Sequence, residues 1–136
     1  SKFMGISKRI IIHNDLDIAV ARLQARDVAR EIGFGTVDQA RISLAAGELA
    51  RVLSKGMGGK GEIIISGTNN GGNIGIQVVS SSPKHTNNSE SHQNHTDTTP
   101  SNSQQDMSSA LSLVDEYIVE DQGNQGTRVT LMKWLS

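Results

Sequence analysis

The chain has 136 residues, of which 13 are basic and 14 acidic, for a formal net charge of −1, and it contains no cysteine. Such a balance gives no general attraction to nucleic acid or to an anionic membrane, and the lack of thiols excludes a disulfide framework, thiolate catalysis and cysteine-ligated metal. Phe3, Phe34, Tyr117 and Trp134 are the only aromatic residues, so base-stacking platforms are not expected and the core must be aliphatic.

The length suits one domain over residues 1–136. No apolar run is long enough for a transmembrane helix, and no charged-then-apolar leader is present, which makes a cytoplasmic location the expectation.

Lys8 to His13 is short, apolar and rich in β-branched residues, and it reads as a strand. Asn14 and Asp15 then offer N-caps. Ile18, Ala21, Ala25, Val28 and Ile32 follow at three- and four-residue intervals, predicting an amphipathic helix to about Ile32. Its opposite face carries Arg22, Arg26, Asp27, Arg30 and Glu31. That cluster reads either as a solvated surface or as a docking face for an acidic partner.

Thr36 to Lys55 is predicted to be the central helix. Thr36 and Gln39 have capping-box spacing, Gly56 supplies a stop, and Ile42, Ala45, Ala46, Leu49, Val52 and Leu53 form the stripe to be buried. Glu48 sits at the margin of that stripe. It reads either as a flank residue pairing with Arg51 or as a partly desolvated carboxylate able to act as a general base.

The glycine-rich segment from Gly56 to Gly61 fails the phosphate-loop pattern, because position 54 is Ser and Gly61 stands where a metal-binding hydroxyl would follow Lys60; it reads as a connection. Glu62 to Ser66 and Asn73 to Ser80 are expected to form a hairpin around a turn from Thr68 to Asn73. Residues 80–109 are almost wholly polar and are expected to be a flexible lid or loop. His85, His92 and His95 lie there, but no flanking hydrophobic sequence would hold a metal geometry, and no metal site is expected. Met107, Ala110, Leu111 and Val114 mark a short helix. Tyr117 to Glu120 and Thr127 to Trp134 complete a second hairpin. The order of elements predicts an α/β (α+β) two-layer sandwich, with helices on one face of a mostly antiparallel sheet.

The stretch DVAREIGFGTVDQARISLAAGELARVL, from Asp27 to Leu53, resembles the RsbT-type anti-sigma-factor serine kinases, the switch kinases of the stressosome. Lys60-Gly61-Glu62-Ile63, Leu113-Val114-Asp115-Glu116-Tyr117, Gly126-Thr127-Arg128-Val129-Thr130 and Lys133-Trp134-Leu135 resemble later parts of the same family. The resemblance implies the GHKL ATPase fold, with ATP and Mg²⁺ held between the sheet and a lid. It also implies phosphorylation of a serine on a STAS-domain antagonist, followed by activation of a PP2C-type phosphatase, in control of a stress sigma factor.

Glu48 matches the family's general base. The Asn expected four residues later is Val52, which offers no oxygen to a hard cation. The place of the adenine-binding Asp falls at about Ser82, and Thr127 matches a threonine near the adenine. The glycine-rich lid motif has no counterpart between Gly75 and Gly123. With these departures, the expectation is a switch protein of this kind that binds a STAS-domain antagonist and a PP2C-type phosphatase and has a degenerate nucleotide site, with Arg22, Arg26, Arg30 and Arg51 as the expected docking residues. The alternative is an active ATP-dependent protein-serine kinase. Neither nucleic acid nor membrane is expected as a partner.

Overall fold

The structure, a computed structural model, describes residues 5–56, 61–82, 107–123 and 126–136. Its elements are β1 (Ser7–Ile12), α1 (Asp15–Ile32), α2 (Thr36–Lys55), β2 (Gly61–Asn70), β3 (Asn73–Ser82), β4 (Glu116–Asp121) and β5 (Thr127–Trp134). Residues 107–112 are also helical. The five strands form one antiparallel sheet in the order β1-β2-β3-β5-β4, and α1 and α2 pack over β1, β2 and β3. The expected α+β sandwich is the observed architecture.

Helix α1 begins at a capping box. The Asn14 side chain accepts from the N–H groups of Leu16 and Asp17 at 3.0 and 3.3 Å, while the Asp17 carboxylate accepts from the N–H groups of Asn14 and His13 at 3.2 and 2.7 Å. It ends at Gly33, whose φ of 119° only a residue without Cβ adopts readily, and whose N–H returns to the carbonyls of Ala29 and Arg30.

The capping box expected at Thr36 and Gln39 is not formed. Gly35 is the N-cap, without a side-chain bond, and Thr36 already lies inside α2. The loop between the helices is so short that Phe34 is buried with its carbonyl facing inward, and Gln39 donates to that oxygen at 2.8 Å. Satisfying a buried carbonyl takes precedence over a cap that solvent can replace. Gly56 does end α2, but in an extended rather than left-handed conformation, with its N–H on the Leu53 carbonyl.

The β2–β3 hairpin turns on Gly71 and Gly72, at φ 61° and 96°, between the paired Asn70 and Asn73. Two consecutive positive φ values suit the tight turn that matches strand twist, so the strands run further toward the turn than the sequence predicts. Strand β3 also continues through Ser82, because Ser80, Ser81 and Ser82 pair with Val129, Arg128 and Thr127 of β5. The polar segment expected from Ser80 therefore starts later, and its far end, 107–109, is helical. The intervening residues, with Pro83, Lys84, His85, His92 and His95, lie outside the described residues.

Among the largest fully buried side chains are Ile12 and Val28, Ile42 and Leu49 of α2, and Ile63, Ile65, Ile76 and Leu131 of the sheet. The predicted stripe of α1 is buried throughout. That of α2 is buried except at Val52, which is half-buried. Small residues let the two helices approach: Gly47 lies against the stem of Arg22, where a Cβ would stand 2.8 Å from Cγ and Cδ. Ser43 Oγ donates to the Arg22 carbonyl one turn earlier.

Candidate functional site

Inward-facing positions of β3 follow period two: Ile76, Val78, Ser80, then Ser82. The first two are packed under the helices. The last two stand where the sheet runs out from beneath α2, and a cavity of about 170 Å³ opens there. Leu49, Val52 and Leu53 of α2 form one wall, at the i, i+3, i+4 spacing of a single helix face. Ser80 and Ser82 of β3 with Thr127 and Val129 of β5 form the other, and Met107 borders it.

Ser82 and Thr127 are direct cross-strand partners, so the fold brings these two predicted nucleotide-site residues together and adds Val52 to the same cavity. Ser80, only 4% exposed, is a lining hydroxyl the sequence reading missed; its in-phase position after Ile76 and Val78 was the signal.

Glu48 does not line the cavity. Its carboxylate lies 3.6 Å from Arg51 Nε on the partly exposed flank of α2, which is the ion-pair geometry anticipated for it. Such surface pairs contribute ~0.2–1 kcal/mol. Arg30 pairs with Asp27 at 2.8 Å. Arg22 and Arg26 are exposed on α1. The exposed apolar residues of the two helices include Leu16 and Leu23 of α1 and Val37 and Leu44 of α2.

The donor set of the cavity is three hydroxyls among aliphatic groups, and none of its described lining residues is charged. Its volume falls below the roughly 300–1,000 Å³ of common ligand clefts. A magnesium triphosphate requires oxygen ligands for the cation and converging N–H or cationic groups for the phosphates. The described walls do not fit it. Among the described residues, no three His, Asp or Glu side chains are placed to hold a metal together, and no helix is long and apolar enough to cross a membrane.

No family model matches the chain. Over 68 residues it is 46% identical to the serine/threonine-protein kinase RsbT of Bacillus subtilis (strain 168), a match covering 50% of this chain and 50% of that protein. The chain thus spans about half the length of the curated relative it matches. The five-stranded antiparallel sheet with two helices on one face is compatible with the GHKL-like fold. Over half its length the chain is thus similar to RsbT, and its architecture is compatible with that likeness.

Proposed function

We propose that the chain is a partner-switching protein of a bacterial stress response, which binds a STAS-domain antagonist and a PP2C-type phosphatase and whose nucleotide site no longer holds Mg²⁺-ATP. The observation that carries this reading is the cavity wall, where Val52 and Ser82 stand at the places of the cation-binding Asn and the adenine-binding Asp and no charged group joins them among the described residues. The docking surface is the exposed side of α1 and α2. Leu23 and Leu44 supply apolar contact there, and Arg22, Arg26, Arg30 and Arg51 supply positive charge that suits an acidic rim on the partner.

Kinase activity is the second reading, favoured by the serine/threonine kinase that the chain resembles and by Glu48, which matches the general base of that family. Thermal denaturation with and without millimolar Mg²⁺-ATP separates the two, because a ligand at 100 times its Kd stabilises by ~2.7 kcal/mol. No shift in Tm, together with capture of a STAS-domain or PP2C-type partner that is lost in Arg22→Glu/Arg26→Glu, is expected. A rise of several degrees with phosphorylation of the STAS-domain protein would replace the first reading with the second.

A further inference from the structure

Strands β1 and β4 are the two edges of the sheet. All six residues of β4 are exposed, and its central side chains, Tyr117, Ile118 and Val119, are 53%, 55% and 50% exposed. An open apolar edge is a template for another strand, and natural proteins blunt it with proline, lysine, a bulge or a covering element. Strand β4 has neither Pro nor Lys, and its pairing with β5 runs unbroken from Glu116↔Met132 to Asp121↔Thr127.

The free backbone groups follow from the hydrogen bonds at the end of β5. Trp134 N–H points to the Asp115 carboxylate and Leu135 N–H to the Ile74 carbonyl, each at 2.8 Å. Even-numbered residues of β5 therefore address β4, and odd-numbered ones address β3. Carried through the register, Glu116, Ile118 and Glu120 bond β5, while Tyr117, Val119 and Asp121 turn their N–H and C=O outward.

Charge selects the occupant. The apolar centre is bracketed by Glu116 at one end and by Glu120 and Asp121 at the other, with Arg128 opposite Glu120 on β5. Two copies of β4 paired antiparallel about Ile118 would set Tyr117 opposite Val119 and Glu116 opposite Glu120, and like charges directly opposite destabilise a sheet. A strand with Lys or Arg at its ends meets opposite charge at both. We infer that β4 is a strand-addition site for an extended, apolar segment of a partner protein flanked by Lys or Arg. Main-chain bonds to Tyr117 and Val119 give affinity, and the acidic ends set polarity of charge. This site lies on the sheet edge, apart from the helix face assigned to the switching partners.

The test is a fluorescein-labelled peptide, Lys-Thr-Val-Thr-Val-Lys, with a counterpart ending in Glu. On the unaltered chain, saturating Lys-ended peptide should slow amide hydrogen exchange at Tyr117 and Val119 at least tenfold and leave Ile118 within twofold. Anisotropy should show at least tenfold weaker binding for the Glu-ended peptide and for Val119→Pro, which removes an outward N–H at an edge position where proline is tolerated. The inference is overturned if the peptide binds without protecting those two amides, if both peptides bind equally, if Val119→Pro binds as tightly, or if sedimentation shows the chain covering this edge with a second copy of itself.

Discussion

Leu49 is the residue on which the core and the cavity meet: it is 1% exposed, yet it forms part of the cavity wall. Leu49→Ala removes three carbons, worth ~2.4 kcal/mol at ~0.8 kcal/mol per buried carbon. The vacated ~80 Å³ adds about 2 kcal/mol at ~24 cal/mol/Å³ if the surroundings do not collapse. Collapse is hindered here, because the neighbours Ile42, Ala45 and Ala46 are fixed on the same helix and the far side is already open space. We expect a loss of ~4 kcal/mol, or roughly 10–15 °C in Tm for a chain of this size. Val52→Ala lines the same cavity but is half-buried, and it should cost ~1 kcal/mol or less. Urea denaturation of both variants, with equal m-values, measures the contrast. A loss below about 2 kcal/mol for Leu49→Ala, or equal losses for the two, would refute the placement of the cavity beyond a tightly packed Leu49.

Other perturbations probe the frame that holds the site. Asn14→Ala should destabilise by about 1 kcal/mol through loss of the α1 cap, and circular-dichroism melts should show full recovery with Asn14→Asp or Asn14→Ser. Gln39→Leu strands the buried Phe34 carbonyl and should cost ~1–3 kcal/mol by chemical denaturation, whereas Thr36→Ala should fall within about 0.5 kcal/mol because no cap is lost. Gly75→Ala would place a Cβ 2.5 Å from the Lys133 carbonyl and 2.7 Å from the Trp134 ring. The forced separation of β3 from β5 should cost ~1–3 kcal/mol, read as a lower Tm, and an unchanged Tm would show that the strands part freely. Arg9→Ala breaks an exposed pair with Glu62 and should lower stability by no more than about 1 kcal/mol, less in high salt.

The helices were legible because burial repeats every three or four residues: Ile18, Ala21, Ala25, Val28 and Ile32 are apolar at each step, and no other structure buries that set together. Capping was not legible to the same degree. The polar pattern at Thr36 and Gln39 satisfies the local rule as well as Asn14 and Asp17 do. Only the position of the buried Phe34 carbonyl decides that Gln39 serves it instead. The end of β3 was hidden for a different reason. Ser80, Ser81 and Ser82 have no apolar alternation to distinguish them from the polar residues that follow, and they are strand because β5 pairs with them. Of the site, Val52, Ser82 and Thr127 were found by resemblance, and the cavity gathers all three. Glu48 and Arg51 lie on the partly exposed flank of α2, and Arg22, Arg26 and Arg30 on the exposed side of α1, where their roles depend on what docks there.

By itself the amino-acid order determined the elements, the aliphatic core and the face each helix would bury, because those follow from the spacing of apolar groups along a regular backbone. Tertiary structure alone decided that serines 80 and 82 and Thr127 would line one cavity opposite Leu49 and Val52, and that Tyr117, Ile118 and Val119 would be left on an open edge. Both outcomes depend on which strands become neighbours, and strand order is settled by long-range pairing energies that no local stretch of sequence contains.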